Sequence, residues 1–362
     1  MTERVDSSRE YQLLDVARCV AISLVILHHV GFRFPSLSPG ALGGFLQAIG
    51  WSGVDIFFAI SGFLITRILV RSTGPGSTRS FFIRRAFRIL PLYIVALSVY
   101  LVLSILQGSD RDLALLVWNA LLLTGWAVPI LGAENIPYLI TWSISVEEFA
   151  YVALGLAAML WRRRLAVLLL SALFAALALR AVLVLGGGIR VQDVYYFPPL
   201  RVDSIAFGGL LALGYFKPRK RWLPVVLAAL AAVYLWLHSL GQYSKSVATL
   251  GYTVLPLTIT LLTAYLVREE RSASPLIRFM AFVGQRSYFI YLFHVFVVGA
   301  LTHPYFRDLC ASIGFWGVFL LAMAVTLALA ELSWRFFEHP LIRLGRSIAS
   351  QMRAGLAMRS VV

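Results

Sequence analysis

The chain has 362 residues, of which 60% are hydrophobic and 14% are charged, and its net charge is +15. Soluble domains average about 25% charged and 45–50% apolar residues, so this composition excludes an ordinary soluble protein. The apolar residues form uninterrupted blocks of roughly 17–25, the length of a helix that crosses ~30 Å of hydrocarbon, and such blocks exclude a β-barrel.

Eleven apolar segments follow one another along the chain, near residues 12–30, 44–70, 89–106, 113–130, 139–160, 165–185, 200–216, 222–240, 248–267, 284–302 and 313–337. Segment 113–130 is flanked by charged residues and contains Asn119, so we predict that it is re-entrant or lies at the membrane interface. The other ten segments predict an all-α polytopic bundle of about ten crossings with both termini in the cytoplasm.

The lysines and arginines alternate between rich and poor sets of loops, and the rich set is expected to be cytoplasmic. This pattern accounts for the positive charge without nucleic acid and predicts a multi-pass protein of the cell (inner) membrane. We expect an integral membrane domain over residues 1–345 and a basic cytoplasmic tail over 346–362 that lies on anionic lipid. The external loops are predicted to carry only five cations: Arg33, Arg111, Arg190, Lys245 and Arg307.

Ionisable residues within the first apolar segment indicate function, because a charge at the bilayer centre costs at least ~2.5–3.5 kcal/mol. This segment contains Asp15, Arg18, His28 and His29. Arg18 and His29 are eleven residues apart, roughly 16 Å along a helix, with His29 toward the external side. A histidine titrates near neutral pH, so His29 is a candidate general base. The structural alternative is an interfacial histidine at the end of a helix.

The second segment supplies small residues and one acid. Gly53 and Gly62 would allow close approach between helices. Asp55 is expected at the level of His29 and is a candidate for orienting that ring. His294, in a later segment, fits a hydrogen-bonded structural role as well as a catalytic one.

The third segment opens with three arginines, Arg84, Arg85 and Arg88, spaced so that they can share a helix face. The planar guanidinium suits bidentate contacts to phosphate, so this face would bind a polyphosphate such as the 3′-phospho-ADP part of coenzyme A. Ordinary anchoring by cytoplasmic arginines is the alternative.

Two adjacent acids, Glu147 and Glu148, lie near the start of another apolar segment. Neighbouring side chains on a helix point ~100° apart, so we expect only one of them to pair with an arginine inside the bundle. Arg201 and Asp203 are expected to form a structural ion pair. No cluster of His, Cys and acidic residues has metal-ligand spacing, so we expect no metal.

Six of these stretches occur in a recognisable order along the chain: Leu14–Arg18 followed by His29, Gly53–Ile65, Arg85–Arg88, Trp142–Glu148, Ser287–His294 and Glu338–Pro340. In combination they resemble the acyltransferase-3 family of integral membrane O-acyltransferases over residues 13–346. Two positions depart from the family pattern, which usually has glycine at Val16 and glutamine at Phe149. Neither is a proposed catalytic group.

The resemblance implies transfer of an acyl group, usually acetyl, from cytoplasmic acyl-CoA to a hydroxyl of a surface glycan or lipid-linked sugar. It implies that Arg18 and His29 form the essential pair, with Glu147 also assigned to the catalytic group. It places coenzyme A against the arginines of the third segment. The acceptor attacks the thioester directly or through an acyl-histidine, and both routes stay open.

Other functions are compatible with parts of this pattern. The acceptor could be a small glycosylated metabolite such as a macrolide. A proton-coupled transporter or flippase also uses intramembrane ionisable groups, although no internal repeat is evident and the arginine-rich segment argues against it. A silent membrane scaffold is a third alternative. We expect contacts with membrane lipid and no nucleic acid, and a homo-oligomer is compatible with the sequence. Without an esterase-like domain, the chain is expected to act alone or with a separate partner.

Overall fold

The computed structural model describes residues 11–71, 76–269 and 272–359, with side chains as far as Arg353. All regular structure within these ranges is helical, which confirms the all-α class. The α-helices are α1 (Gln12–Arg33), α2 (Gly40–Ile49), α3 (Gly53–Arg71), α4 (Ser77–Leu106), α5 (Asp110–Ala120), α6 (Thr124–Leu131), α7 (Trp142–Leu160), α8 (Leu165–Leu185), α9 (Val202–Ala212), α10 (Leu223–Leu240), α11 (Tyr252–Leu266), α12 (Pro275–Gln285), α13 (Ser287–Leu301), α14 (Arg307–Ser333) and α15 (His339–Arg359).

The described helices support a multi-pass membrane protein. Eight helical segments are long and apolar enough to cross a membrane, and the pair α12 and α13, bent by 73°, would make a ninth. α9 is apolar but has only 11 residues, about 16 Å of helix, which is too short to cross ~30 Å of hydrocarbon. The crossing number of ten and the cytoplasmic position of both termini therefore stay predictions.

Segment 113–130, predicted to be re-entrant or interfacial, forms two short helices, α5 and α6, of 11 and 8 residues. The break between them includes Leu122, whose φ of 60° lies in the left-handed region that ordinary residues rarely occupy. α6 ends at Leu131, and the following Gly132 has a φ of 89°. Neither helix is long enough to span the bilayer, in agreement with a re-entrant or interfacial segment.

The chain forms two compact units. Unit 1 comprises the residues up to Ile60 together with Phe216–Gln242 and Val254–Glu331, and unit 2 comprises Ser61–Tyr215, Tyr243–Thr253 and the residues from Leu332 onward. The predicted division near residue 345 stays a prediction.

Close helix approach at glycines organises both units. In unit 1, α1 packs against α2, α12 and α13. A Cβ on Gly53 would collide with the carbonyl oxygen of Ala21, and one on Gly284 with that of Asp15. In unit 2, a Cβ on Gly62 would collide with the carbonyl oxygen of Ile205. The packing role predicted for Gly53 and Gly62 is confirmed.

A buried ion pair in unit 2 corrects one prediction. Asp203 pairs with Arg180 of α8 at 2.6 Å, with both side chains fully buried, and also accepts from Thr253 Oγ1 at 2.8 Å. The guanidinium of Arg201 instead lies over the ring of Tyr252, 4.3 Å from its centroid. The predicted pairing of Arg201 with Asp203 was wrong, because helix packing brings Arg180 of α8 to the carboxylate of Asp203.

Candidate active site

His29 is held near the C-terminal end of α1 by two contacts to one ring nitrogen. Its Nδ1 lies 2.8 Å from the carbonyl oxygen of Val25, one turn back on the helix. The same Nδ1 lies 3.3 Å from Nε2 of His294, and the two rings meet edge to face with centroids 4.9 Å apart. The ring is half-buried.

His294 lies on α13, which packs against α1, and its side chain is fully buried. Its Nδ1 is 2.7 Å from the carbonyl oxygen of Tyr291 and 3.1 Å from that of Ile290. Carbonyl oxygens only accept, so this nitrogen carries the proton, and Nε2 of neutral His294 presents a lone pair.

The same reasoning assigns the tautomer of His29. Val25 O can only accept, so Nδ1 of His29 carries the proton and directs it toward both Val25 O and the lone pair of His294. Nε2 of His29 is then the basic nitrogen. Among the described residues no protein group hydrogen-bonds to this Nε2, so an acceptor hydroxyl could occupy that position.

The neighbours of His29 differ from the predicted set. His28 is turned away, with its Nδ1 2.9 Å from the carbonyl oxygen of Gln47. Asp55 is fully buried in unit 1 but is not a partner of His29 in the described structure. The orienting position that we expected Asp55 to occupy belongs to His294.

Arg18 lies three turns before His29 on α1 and forms a separate polar group. Its Nη1 donates to Asp15 at 2.7 Å, and the second carboxylate oxygen of Asp15 accepts from Gln285 Nε2 at 3.1 Å. The structure therefore joins Arg18 to the start of α1 and the end of α12. Its catalytic assignment stays a prediction.

In unit 2, the predicted residues Arg85 and Glu147 meet in a dense polar group. Glu147 accepts from Arg85 Nη2 at 3.2 Å, from Ser61 Oγ at 2.9 Å and from the hydroxyl of Tyr151 at 2.6 Å. The guanidinium of Arg85 also lies 3.4 Å from the centroid of the Tyr151 ring. These contacts fix the carboxylate, and a catalytic role for Glu147 stays a prediction.

Glu148 faces the same arginine, which corrects the expectation that adjacent glutamates could not share a partner. Its carboxylate oxygen Oε1 is 3.6 Å from Nε of Arg85, while Glu147 contacts Nη2. The angle of ~100° between neighbouring residues of a helix fixes only the directions of their Cβ atoms. A glutamate has two further carbons, and a guanidinium offers several edges, so both carboxylates reach it.

The other two predicted phosphate ligands have different surroundings. Arg84 donates to Ser80 Oγ and interacts electrostatically with Arg346 and Arg353 of α15, which packs along α4. Arg88 is exposed. Binding of coenzyme A by the arginines of α4 stays a prediction.

The sequence did not predict the contacts of three residues: His294, Arg346 and Arg353. His294 was noticed as a histidine in an apolar segment, but its contact with His29 spans 265 positions and has no local signal. Arg346 and Arg353 were assigned to a lipid-bound tail. The described residues contain no group of three or more His, Cys, Asp or Glu side chains that could hold a metal ion.

Comparisons with known proteins agree on one family. The model of the acyltransferase-3 family, described as an acyltransferase domain, matches residues 11–335. The peptidoglycan O-acetyltransferase OatA of Listeria monocytogenes is 27% identical over 93% of this chain and 57% of its own length. YrhL of Bacillus subtilis, provisionally named a peptidoglycan O-acetyltransferase, is 29% identical over 91% of this chain and 54% of its own length.

A provisionally named O-acetyltransferase of Staphylococcus aureus strain COL is 27% identical over 92% of this chain and 57% of its own length. The chain thus spans little more than half the length of these relatives. No solved structure matches it.

Proposed function

Because the chain belongs to the acyltransferase-3 family, we propose that it is a membrane O-acyltransferase that moves an acyl group from acyl-CoA to a hydroxyl of a glycan. The acyl group is acetyl, and the protein resides in the inner membrane. Relatives named as O-acetyltransferases support the reaction class. The observation that carries the proposal is the ring of His29, whose Nδ1 is fixed while Nε2 has no protein partner within the described residues.

His29 acts as the general base. Its Nε2 takes the proton of the acceptor hydroxyl as that oxygen attacks the thioester carbonyl carbon. The carbon–sulfur bond then breaks, and the proton passes from His29 to the departing thiolate of coenzyme A. A positioned base of this kind contributes typically 10²–10⁴ in rate.

His294 supports this step as a positioning residue. When His29 gains a proton on Nε2, its Nδ1–H becomes a stronger donor, and the lone pair of His294 lies 3.3 Å away to accept it. A carboxylate holds this position in the Ser-His-Asp triad. A neutral imidazole can do so without placing a buried negative charge in an apolar bundle.

We assign the binding of the acyl-CoA donor to the arginines of unit 2. Arg346 and Arg353 each act repulsively on Arg84, and a polyphosphate bound beside Arg84 would offset that repulsion. Arg85 and Arg88 extend this group along α4, and the two glutamates hold Arg85 in position. Arg18 and Glu147 are assigned to the catalytic group on the family pattern.

The acceptor is assigned to the cell envelope. Two relatives carry peptidoglycan in their names, so peptidoglycan or a related surface glycan is the first substrate to test. The experiment compares O-acetyl content of the cell wall by NMR, before and after mild base. The strains carry wild type, a deletion, His29→Gln or the matched control His28→Gln.

We expect the base-labile acetyl signal to disappear in the deletion and in His29→Gln, and to persist in His28→Gln. Loss in the deletion alone would refute His29 as the base while leaving O-acylation intact. An unchanged signal in every strain would refute acylation of the wall glycan.

A further inference from the structure

A cavity in unit 1 is lined from Arg33 onward, one turn after His29 on α1. It has a volume of about 210 Å³, more than ten times the ~15 Å³ that one water molecule needs. Its wall comes from the end of α1 with the following loop, and from the end of α13 with the start of α14. The two helices that position the His29–His294 pair therefore also form this cavity.

Two arginines line the cavity, Arg33 from α1 and Arg307 from α14. Both are exposed, and neither has a hydrogen bond or ion pair with an acidic side chain in the part of the chain that the structure describes. Asp308 follows Arg307 in sequence but does not line the cavity. The remaining polar lining comes from uncharged side chains such as Ser36 and Thr302.

The helix dipoles account for only one of these two cations. The C-terminal carbonyls of α1 favour a cation at Arg33, but Arg307 begins α14, where the helix dipole does not favour one. The charge pattern of the sequence predicts that this end faces the exterior, where arginines are sparse. Among the other cations predicted there, Arg111 hydrogen-bonds to Asn135 and Arg190 pairs with Asp193.

Arg33 is also linked to the proposed base. It lies one turn after His29 on the same helix, about 6 Å along the axis, and acts on it electrostatically. An anionic group held by Arg33 and Arg307 would therefore bind at the same end of α1 as His29. Guanidinium groups bind carboxylate and phosphate oxygens through paired hydrogen bonds.

We propose that this cavity binds an anionic group of the acceptor, so that the enzyme acylates a hydroxyl near a carboxylate or phosphate and discriminates against neutral sugars. This inference rests on the proposed function. It goes beyond it by naming the chemical class of acceptor and the two residues that select it.

The test compares acceptors that differ only in charge, using purified full-length protein and acetyl-CoA. The first pair is N-acetylmuramic acid and its methyl ester, and the second is N-acetylglucosamine 1-phosphate and N-acetylglucosamine. A hydrogen-bonded charge gives roughly a tenfold to hundredfold preference. We expect wild type to show that preference in kcat/KM for at least one anionic acceptor, and the pair that shows it tells carboxylate from phosphate.

The double variant Arg33→Gln, Arg307→Gln should lose the preference, because KM for the anionic acceptor should rise relative to KM for its neutral partner in the same variant. The double lysine variant should recover part of it, which a misfolded protein would not do. Arg111→Gln is the matched control and should keep the wild-type preference. Equal kcat/KM for charged and neutral acceptors in wild type would overturn the inference, as would a preference that survives in the double glutamine variant.

A binding measurement separates this inference from the proposed reaction. The same acceptors are titrated into the His29→Gln protein, which needs no turnover. If wild type transfers acetyl to none of the probes, the proposed function fails. Tighter binding of the acid than of its ester, lost in the double glutamine variant, would still establish the anion site. Equal affinities for the acid and its ester would refute the anion site.

Discussion

The histidine pair of unit 1 and the Arg180–Asp203 pair of unit 2 are both ionisable groups placed in apolar helices, but their bonding differs. Asp203 is bound by Arg180, Thr253 and the backbone N–H of Ser204, and the guanidinium also donates to the carbonyl of Leu200. His29 uses one nitrogen for protein contacts and leaves the other without a protein partner in the described structure.

This difference separates chemistry from architecture. A buried ion pair whose donors and acceptors bond within the protein has little capacity left for a substrate, and it links the helices that carry it. A histidine that is oriented on one side and accessible on the other has the arrangement of a base. Ionisable residues inside a membrane point to function by default, and their remaining hydrogen-bonding capacity shows which ones can react.

The largest expected effect comes from removing the accessible nitrogen. His29→Gln should lower acetyl transfer by ~10²–10⁴, because the proton of the acceptor hydroxyl loses its base. Unfolding of the purified protein should change little, since the ring is only half-buried. Acetyl transfer and an SDS unfolding titration would be measured together, with His28→Gln as the control. A variant that unfolds in parallel with its loss of activity would contradict the distinction.

The second effect falls on stability and should be large in unit 2. Arg180→Met leaves Asp203 buried without its cation and should cost roughly 3–5 kcal/mol of the free energy of unfolding. The double variant Arg180→Met, Asp203→Leu should recover most of that loss, because no uncompensated charge is left. An SDS titration in mixed micelles measures both. If the double variant were as unstable as the single one, the loss of stability could not be assigned to the unpaired charge of Asp203. The other hydrogen bonds of the pair would then account for it.

A smaller effect on rate is expected from the positioning residue. His294→Phe keeps an aromatic ring but removes the lone pair that accepts from protonated His29, and should lower kcat by ~10–100-fold with KM for acetyl-CoA unchanged. His294→Gln can present an amide oxygen near the position of Nε2 and should restore part of kcat. Equal losses in both variants, accompanied by earlier unfolding, would assign His294 a purely structural role.

Single ionisable groups in apolar helices can be located from the sequence, but the pairs that they form depend on how the helices pack. His29 was identifiable because a histidine is costly in an apolar helix, whereas its contact with His294 depends on how α1 packs against α13. Arg180 is a single arginine within the apolar helix α8, and that anomaly was a usable signal for a buried partner. Arg201 and Asp203 are only two positions apart, but proximity in sequence does not make them a pair, since Asp203 binds Arg180 of another helix.

The smallest effect tests an ion pair that solvent reaches. Glu134 lies 3.1 Å from Arg190 in a connection between membrane segments, and both side chains are about half exposed. A hydrogen bond from its own backbone N–H, and then the bond from Arg190, hold the pKa of Glu134 below its ordinary value. Because the pKa of Glu134 is lowered on folding, its ionised carboxylate stabilises the folded state at a pH above the ordinary pKa of about 4.3. That stabilisation is lost as the pH falls through the lower pKa of the folded state.

Glu134→Gln should therefore lower the melting temperature only slightly at pH 7, and the difference from wild type should shrink at a pH below the lowered pKa of Glu134. Thermal unfolding in detergent at the two pH values measures it. Added salt should shrink the difference at pH 7, because exposed charges are screened. The Arg180–Asp203 pair, shielded from solvent, should show no comparable salt dependence. A large drop in melting temperature for Glu134→Gln that salt does not reduce would mean that this connection is shielded from water. Solvent exposure would then not distinguish the Glu134–Arg190 pair from the Arg180–Asp203 pair.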